Sequence, residues 1–146
     1  MVDVDDPFDL RRFVDAQAGG TYEQALAELR AGRKRGHWIW FVLPQLRGLG
    51  SSPAAHHYGL TGLDEARAYL AHPVLGPRLR ECTQALADLP GGDPTAVLGA
   101  VDALKVRSSA TLFARAADDG GSPDVFRAVL AQYYGGQEDA ATTTRL

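Results

Sequence analysis

The clearest hydrophobic pattern in the chain is a stripe of apolar residues in its middle third. The stripe comprises Leu75, Leu79, Cys82, Leu86 and Leu89, which recur every three or four residues. This spacing places them on one face of an α-helix, so we predict a helix that buries that face. Cys82 lies within the stripe and is interpreted as a small buried hydrophobe, not as a nucleophile.

The other helices are predicted from their start signals. An N-cap side chain, often with proline at the first helical position, marks where a helix begins. Glycine-rich breaks separate these signals, a turn is predicted at Asp118–Gly121, and neither a strand ladder nor an internal repeat is evident. The signals are Asp6-Pro7, Thr21 with Gln24, Ser52-Pro53, Asp93-Pro94, Asp102 and Ser122-Pro123.

Together these patterns predict an all-α fold, a single-domain helical bundle of about six to eight short helices. The domain is predicted to extend over residues 6–136. Residues 1–5 are acidic, and residues 137–146 show no apolar periodicity. Both ends are therefore predicted to be flexible.

The stretch from Arg33 to Ser52 departs most from this ordinary helical composition. It contains the apolar run HWIWFVL at residues 37–43, followed by PQLRGLGSS. Such a run is typical of a buried segment, but its periodicity does not distinguish a strand from a helix. One interpretation is a core anchor followed by a loop. The other adds a pocket in which Gln45, Arg47 and the amides of residues 48–52 hold an anion, although no phosphate-loop or dinucleotide fingerprint is present.

Two groups of polar residues allow a structural and a functional interpretation. Arg30, Arg33, Lys34 and Arg35 follow one another at a predicted helix C-terminus, where cations complement the helix dipole. They could instead form a positive rim that attracts an anion. In the helix predicted at residues 103–117, serine and threonine are locally unfavourable. They indicate either close helix packing or the polar lining of a pocket. The polar residues of that helix are Lys105, Arg107, Ser108, Ser109 and Thr111.

Composition excludes several classes of function. The chain has 146 residues, 45% hydrophobic and 23% charged, with a net charge of −3, so neither nucleic acid nor an anionic membrane is expected as a partner. The single cysteine excludes an intramolecular disulfide and a cysteine-based zinc cluster. The histidines lack metal-ligand spacing, and we predict no metal and no cofactor. The N-terminal sequence does not resemble a signal peptide and no apolar run could span a bilayer, so a cytoplasmic protein is expected.

Several phrases of the sequence, taken together and in order, resemble one known family. This family is the bacterial domain of unknown function 1810, whose members are often mislabelled calpastatin. The resemblance extends from about Asp6 to Gly136. The phrases are FVDAQ at Phe13–Gln17, the basic turn Gly32–Arg35, HWIWFVLPQLRGLGSSP at His37–Pro53, EARAYLAHPVLGPRLRECT at Glu65–Thr83 and DALKVRSSATLFARA at Asp102–Ala116.

The resemblance implies an all-helical single domain, and therefore a helix at Trp38–Leu43. It implies no established reaction and no catalytic residues. The calpastatin label would imply a protease inhibitor, which nothing in these residues supports. Two positions depart from the expected pattern: Gly36, where serine is common, and the pair His56-His57 ahead of Tyr58.

The first functional hypothesis is a site for a small anionic ligand, phosphate-bearing and nucleotide-like, in one cleft between helices. Arginine and lysine would hold the anion, and a tryptophan would stack on a ring. His37 or His56 would be the acid or base, since histidine is the residue type that titrates near neutral pH. The ligand-binding residues are predicted to be Trp38, Gln45, Arg47, Tyr58, Lys105, Arg107 and Ser108.

The second hypothesis is a non-catalytic module that binds a protein partner through the Arg/Trp-rich segment. Tryptophan, tyrosine and arginine dominate binding hot spots. This hypothesis expects Trp38 or Trp40 to lie in an exposed patch. The residues discriminate weakly between the two hypotheses, and no reaction follows from either.

Overall fold

The computed structural model describes residues 5–117 and 122–146. In this part of the chain there are ten helices and no strand, which confirms the predicted all-α class. The helices outnumber the prediction because three of them span only four or five residues, too few to show periodicity. They are α1 (Arg11–Gln17), α2 (Thr21–Arg30), α3 (Ile39–Val42), α4 (Pro53–Tyr58), α5 (Leu63–Ala71), α6 (Leu75–Ala87), α7 (Pro94–Leu98), α8 (Ala100–Ala117), α9 (Asp124–Tyr134) and α10 (Ala140–Thr143).

The central element of the bundle is α8, on which α5, α7, α9 and α10 pack. Its side chains are buried around most of its circumference, and Leu112 and Phe113 are fully buried. Burying such a side chain stabilises the fold by about 1.5–3 kcal/mol. The ring of Phe113 lies between Tyr69 on α5 and Phe126 on α9, at centroid distances of 5.4 and 5.8 Å. Aromatic packing thus joins three helices at the centre.

The apolar stripe of α6 is confirmed. Leu75, Leu79, Cys82 and Leu86 are all buried, and α6 packs against α2, α5 and α9. Leu89 follows the end of the helix and is half-buried. Burial raises the pKa of the Cys82 thiol to about 12, because the thiolate would lose its hydration. The thiol therefore stays protonated, which agrees with its interpretation as a small hydrophobe.

Two of the predicted helix starts are confirmed by their side-chain bonds. The Ser52 hydroxyl accepts the N–H of Ala55 at 3.1 Å, and the Asp93 carboxylate accepts the N–H of Thr95 at 3.0 Å. Each is followed by proline at the first helical position. These two starts could therefore be predicted from local capping chemistry.

Other predicted starts are displaced or wrong. Thr21 is the first residue of α2, and the N-cap is Gly20, whose φ of 90° suits glycine. Asp102 lies inside the first turn of α8 and bonds lysines instead of capping a helix. Asp6 accepts the N–H groups of Leu10 and Arg11, so the regular helix begins four residues later than Pro7, at Arg11.

The C-terminal segment differs from the flexible tail predicted for residues 137–146. It contains α10, which packs on α8, and the side chain of Thr142 is fully buried. The carboxylate of Asp139 accepts the N–H and hydroxyl of Thr142, which caps α10. The segment is held by polar bonds, which apolar periodicity does not detect. The predicted turn at Asp118–Gly121 and residues 1–4 of the predicted flexible N-terminus lie outside the described residues.

Candidate functional site

The residues predicted to line one cleft are distributed over separate clusters. Arg47 and His56 line a cleft beside α4. Trp38 and Lys105 lie in a charged cluster between the segment 28–40 and α8. The contacts of the described residues therefore bring the predicted residues together in pairs and not in the single cleft we expected.

Arg107 and Ser108 bind the chain's own C-terminal segment. The Arg107 guanidinium donates to the carbonyls of Gln137 and Glu138 at 3.1 and 3.0 Å. The Ser108 hydroxyl lies 3.0 Å from an Asp139 carboxylate oxygen. Because these donors are used within the fold, both residues serve the attachment of α10. The polar lining predicted for α8 thus meets residues 137–139.

The remaining predicted residues also lie apart. His37 is exposed, and its side chain has no partner among the described residues. Gln45 is 7% exposed, and its main-chain carbonyl accepts the N–H of Leu60 at 3.0 Å. Tyr58 packs in an aromatic group, with centroid distances of 5.7 Å to Phe13 and 5.3 Å to Phe41. None of these contacts shows a ligand-binding role.

The first of the two charged regions is a group that we call the tryptophan cluster. Its centre is the Asp102 carboxylate. One oxygen forms an ion pair with the Lys34 Nζ at 2.6 Å, and the other with the Lys105 Nζ at 3.4 Å. Lys34 lies over the Trp38 ring at 5.0 Å from its centroid, and Lys105 lies over Trp40 at 4.5 Å. The two lysines therefore share one carboxylate, and each lies against the face of an indole ring. The cluster comprises Glu28, Lys34, Trp38, Trp40, Asp102 and Lys105.

Glu28 fixes the basic turn that enters this cluster. One of its carboxylate oxygens accepts the N–H groups of Arg35 and Gly36 and the indole N–H of Trp38, at 2.7–3.0 Å. Burial raises the pKa of Glu28, but these donors, together with Gln24, outweigh it and lower the pKa to about 2. A Cβ on residue 36 would lie 2.9 Å from the Trp38 ring, which explains glycine where serine was expected.

The second charged region, which we call the Arg47 cleft, lies between the N-terminal segment, α4 and the start of α5. Its volume is about 370 Å³. This is within the range of clefts that hold small molecules in proteins. The residues that line it are Pro7, Phe8, Asp9, Arg12, Arg47, His56, His57, Thr61 and Glu65.

The floor of the Arg47 cleft is a saturated ion pair. Arg12 and Glu65 lie 2.8 Å apart, with side chains 9% and 2% exposed. The second oxygen of Glu65 accepts the N–H and hydroxyl of Thr61 at 2.9 and 3.0 Å. A guanidinium has five N–H groups, and all five of those on Arg12 donate to groups of the protein, so none is left for a ligand. Its other donors bond the carbonyls of Phe8, Asp9, His57 and Gly59 at 2.6–3.4 Å.

Arg47 differs from Arg12 because most of its donors are open. Its Nε donates to the carbonyl of His56 at 3.1 Å, which fixes the guanidinium against α4. Its two terminal nitrogens have no partner within residues 5–117 and 122–146, and the side chain is half-buried. A guanidinium held in this way presents a planar pair of donors that matches the oxygens of a phosphate or carboxylate.

The backbone around Arg47 explains how the sequence places it. The N–H of Arg47 donates to the carbonyl of Leu60 at 2.8 Å, within an isolated parallel bridge that joins Leu46 and Leu60. A Cβ on residue 59 would lie 2.6 Å from the Cα of Arg47. The two segments can approach this closely only because Gly59 has no side chain.

The remaining polar groups of the cleft are two imidazoles and one carboxylate. His56 and His57 are exposed neighbours on α4, and the His57 ring meets the Tyr58 ring edge-on at 4.6 Å. Asp9 is exposed, and its φ of 53° lies in the left-handed region, which aspartate tolerates. Imidazoles can donate to an anion, whereas Asp9 repels one. The open charge of the cleft is thus that of Arg47, opposed by Asp9.

No sequence pattern predicted that the cleft would be lined by Arg12, Glu65 and Asp9. Arg12 and Glu65 are separated by 53 positions, and no spacing rule connects them. Asp64 and Glu65 both lie in the first turn of α5, where either carboxylate would suit the helix dipole. Only the tertiary structure shows that Glu65 faces inwards.

Two other kinds of feature are absent from the described residues. No group of three or more histidine, cysteine, aspartate or glutamate side chains is arranged to hold a metal ion there. No helix in the same residues has both the length and the apolar character required to cross a membrane.

Comparison with known proteins gives a family and a related structure. The family described as "Protein of unknown function (DUF1810)" matches residues 7–146, and the chain belongs to it. A crystal structure of the conserved hypothetical protein Rv1873 from Mycobacterium tuberculosis has 57% sequence identity and a TM-score of 0.92. The similarity covers 97% of this chain and 98% of that one. No curated protein matches the chain.

Proposed function

We propose that this DUF1810 protein binds a small phosphate-bearing anion in the Arg47 cleft. The observation that carries the proposal is the open pair of terminal nitrogens on Arg47. Every other lysine or arginine that lines this cleft or the tryptophan cluster already contacts a carboxylate. A half-buried arginine without such a partner is the group best placed to take an external anion.

The cleft is organised before a ligand arrives. Arg47 is fixed by its own Nε bond and by the bridge at Leu60. The floor beneath it is the saturated Arg12–Glu65 pair, which contributes no net charge. Little conformational entropy would therefore be lost on binding, which favours affinity for a small ligand. The neighbouring imidazoles of His56 and His57 supply further donors.

The test is a titration with inorganic phosphate at constant ionic strength, followed by NMR or calorimetry. The wild-type protein is expected to bind phosphate. Arg47→Gln should weaken binding by about tenfold or more, because two charge-assisted hydrogen bonds are lost. Phosphate also stabilises proteins by exclusion from their surface, so the deciding quantity is the dissociation constant and not the melting temperature.

The matched control is Arg33→Gln. Arg33 is exposed in the basic turn and does not line the cleft, yet its loss changes the net charge by the same amount. Phosphate affinity should be unchanged in this variant and also in Lys105→Met, which alters the tryptophan cluster. Equal affinity in wild type and Arg47→Gln, or no binding by wild type at tens of millimolar phosphate, would refute the proposal.

The protein-interaction hypothesis receives less support from the contacts. Trp38 is 2% exposed and lies under Lys34, so it offers no surface to a partner. Trp40 is half-buried, and Lys105 covers its ring. The aromatic segment therefore presents little of the apolar patch that this hypothesis needs.

A further inference from the structure

Phe8 is a common wall of three adjoining clefts. It lines the Arg47 cleft together with Pro7 and Thr61. It also lines a second cleft, of about 650 Å³, which shares Pro7 with the first. A third cleft, of about 430 Å³, shares Phe8 and Thr61. Phe8 therefore lines both the cleft that holds Arg47 and the two clefts next to it.

Several hydrogen bonds hold the main chain on either side of Phe8. The Asp6 carboxylate accepts the N–H groups of Leu10 and Arg11 at 2.8 and 3.0 Å. Arg12 donates to the carbonyl of Phe8 at 2.6 Å, from the same guanidinium that forms the floor of the Arg47 cleft. The Arg12 side chain thus ties the main chain of Phe8 to the floor of the Arg47 cleft.

The second cleft is lined by both apolar and charged residues. Beside Pro7 and Phe8, the apolar ones are Leu10, Val14, Ala68 and Ala71, and the charged or polar ones are Asp5, Asp6, Arg11, Asp15 and His72. An apolar face with hydrogen-bonding edges is the chemistry of a nucleobase, whose faces stack on aromatic rings and whose edges donate and accept. Free phosphate would leave these walls unused. The second cleft adjoins the Arg47 cleft and is suited to the planar ring of a ligand whose phosphate is bound at Arg47.

We propose that the ligand of the Arg47 cleft is a phosphate monoester that carries an aromatic ring, as a nucleoside monophosphate does. The phosphate binds Arg47 and the ring packs on Phe8, partly within the second cleft. This inference rests on the proposed function, because it places the phosphate at Arg47. Phe8 takes the role that the sequence analysis assigned to Trp38.

The experiment is a calorimetric titration of the full chain with four probes: inorganic phosphate, ribose 5-phosphate, adenosine and adenosine monophosphate. Wild type should bind adenosine monophosphate about tenfold or more tightly than ribose 5-phosphate, since stacking of a base on an aromatic ring has an effect of this size. Phe8→Leu keeps an apolar side chain but removes the ring. It should abolish that preference and leave the affinity for inorganic phosphate unchanged.

Phe41→Leu is the matched control, because Phe41 is a half-buried aromatic residue that lines none of these clefts. It should retain the preference for adenosine monophosphate. A wild type that binds both phosphate esters equally would overturn this inference and leave the Arg47 proposal standing. A preference that depends on Phe8 but not on Arg47 would instead overturn the proposed function. Equal weakening of all probes by Phe8→Leu would show a structural role for Phe8 and would also overturn the inference.

Discussion

The tryptophan cluster and the Arg47 cleft contain the same kinds of residue in different states. Both combine cations, carboxylates and aromatic rings. In the tryptophan cluster, each lysine has a carboxylate partner and an indole ring beside it. In the Arg47 cleft, Arg12 is saturated in the same way, but Arg47 keeps its terminal donors open.

The difference teaches that charged and aromatic residues can be concentrated in a segment and still satisfy one another within the fold. The tryptophan-bearing stretch has the most unusual composition in the chain, yet its charged side chains pair within the cluster and hold the segment 28–40 against α8. An unpaired donor on a fixed side chain is the more informative feature. Three substitutions can test whether the two regions differ as described.

The largest effect is expected when the floor of the Arg47 cleft is broken. Arg12→Met leaves the buried Glu65 without its cation and removes four bonds to main-chain carbonyls. Breaking one side of a buried pair costs about 3–5 kcal/mol, so unfolding in urea should show a loss of this size. The neighbouring variant Arg11→Met removes only an exposed contact with Asp15 at 3.9 Å and should change stability by less than about 0.5 kcal/mol. Similar losses in both variants would show that Arg12 is not the structural member of the cleft.

A smaller effect is expected from Glu28→Gln in the tryptophan cluster. The carboxylate accepts four N–H donors, and its replacement by a neutral amide should cost about 1–2 kcal/mol at pH 7. The pKa of Glu28 is lowered from 4.5 to about 2, so the folded state binds the proton more weakly than the unfolded chain. The stabilisation is therefore complete above pH 4.5 and is lost as the pH falls towards 2.

The measurement for Glu28 is chemical unfolding between pH 7 and pH 2. The difference between wild type and Glu28→Gln should shrink over the acidic part of this range. Glu23→Gln, at an exposed position on α2, is the control and should not show the same pH-dependent difference. A pH-independent difference between wild type and Glu28→Gln would contradict the role of the charged form. Phosphate binding should be normal in Glu28→Gln, which separates the two regions.

The smallest effect is expected from Asp9→Asn. Removing the carboxylate that opposes Arg47 should tighten phosphate binding about two- to fivefold, more at low salt than at high salt. Asparagine tolerates the left-handed backbone of residue 9 as aspartate does, so stability should hardly change. Asp88→Asn makes the same change of charge at the C-cap of α6, outside the lining of the cleft, and should leave the phosphate dissociation constant unchanged. If both variants tighten binding equally, net charge alone is responsible.

Features that depend on neighbouring residues could be predicted from the sequence. The α6 stripe and the helix starts at Ser52 and Asp93 follow from local spacing and capping, and the structure confirms them. The prediction of Thr21 as an N-cap is wrong because Gly20 is the N-cap residue. A glycine with positive φ has no side chain that a capping motif could detect. The prediction of Asp102 as an N-cap is wrong because its carboxylate forms ion pairs with two lysines.

Features that depend on distant residues could not be predicted in the same way. The Arg12–Glu65 pair and the bridge that places Arg47 each join segments far apart in sequence. The mid-helix Ser108 and Thr111 were a usable signal, since both break local propensity. Each bonds the carbonyl four residues before it and also a group of Asp139. The sequence indicated a polar lining there, but it did not indicate that this chain's own C-terminal segment fills it.

The saturation of Arg12 has a consequence for how the cleft comes into being. One guanidinium joins the carbonyls of Phe8 and Asp9 to those of His57 and Gly59 and to the Glu65 carboxylate. Detachment of the N-terminal segment would therefore remove the wall and floor that Phe8 and Arg12 give to the cleft, although Arg47 would keep its own bonds to His56 and Leu60. Assembly of the complete proposed site requires that segment to dock. An occupant of the cleft would in turn hold the first helix in place, so ligand occupancy and N-terminal docking are thermodynamically linked.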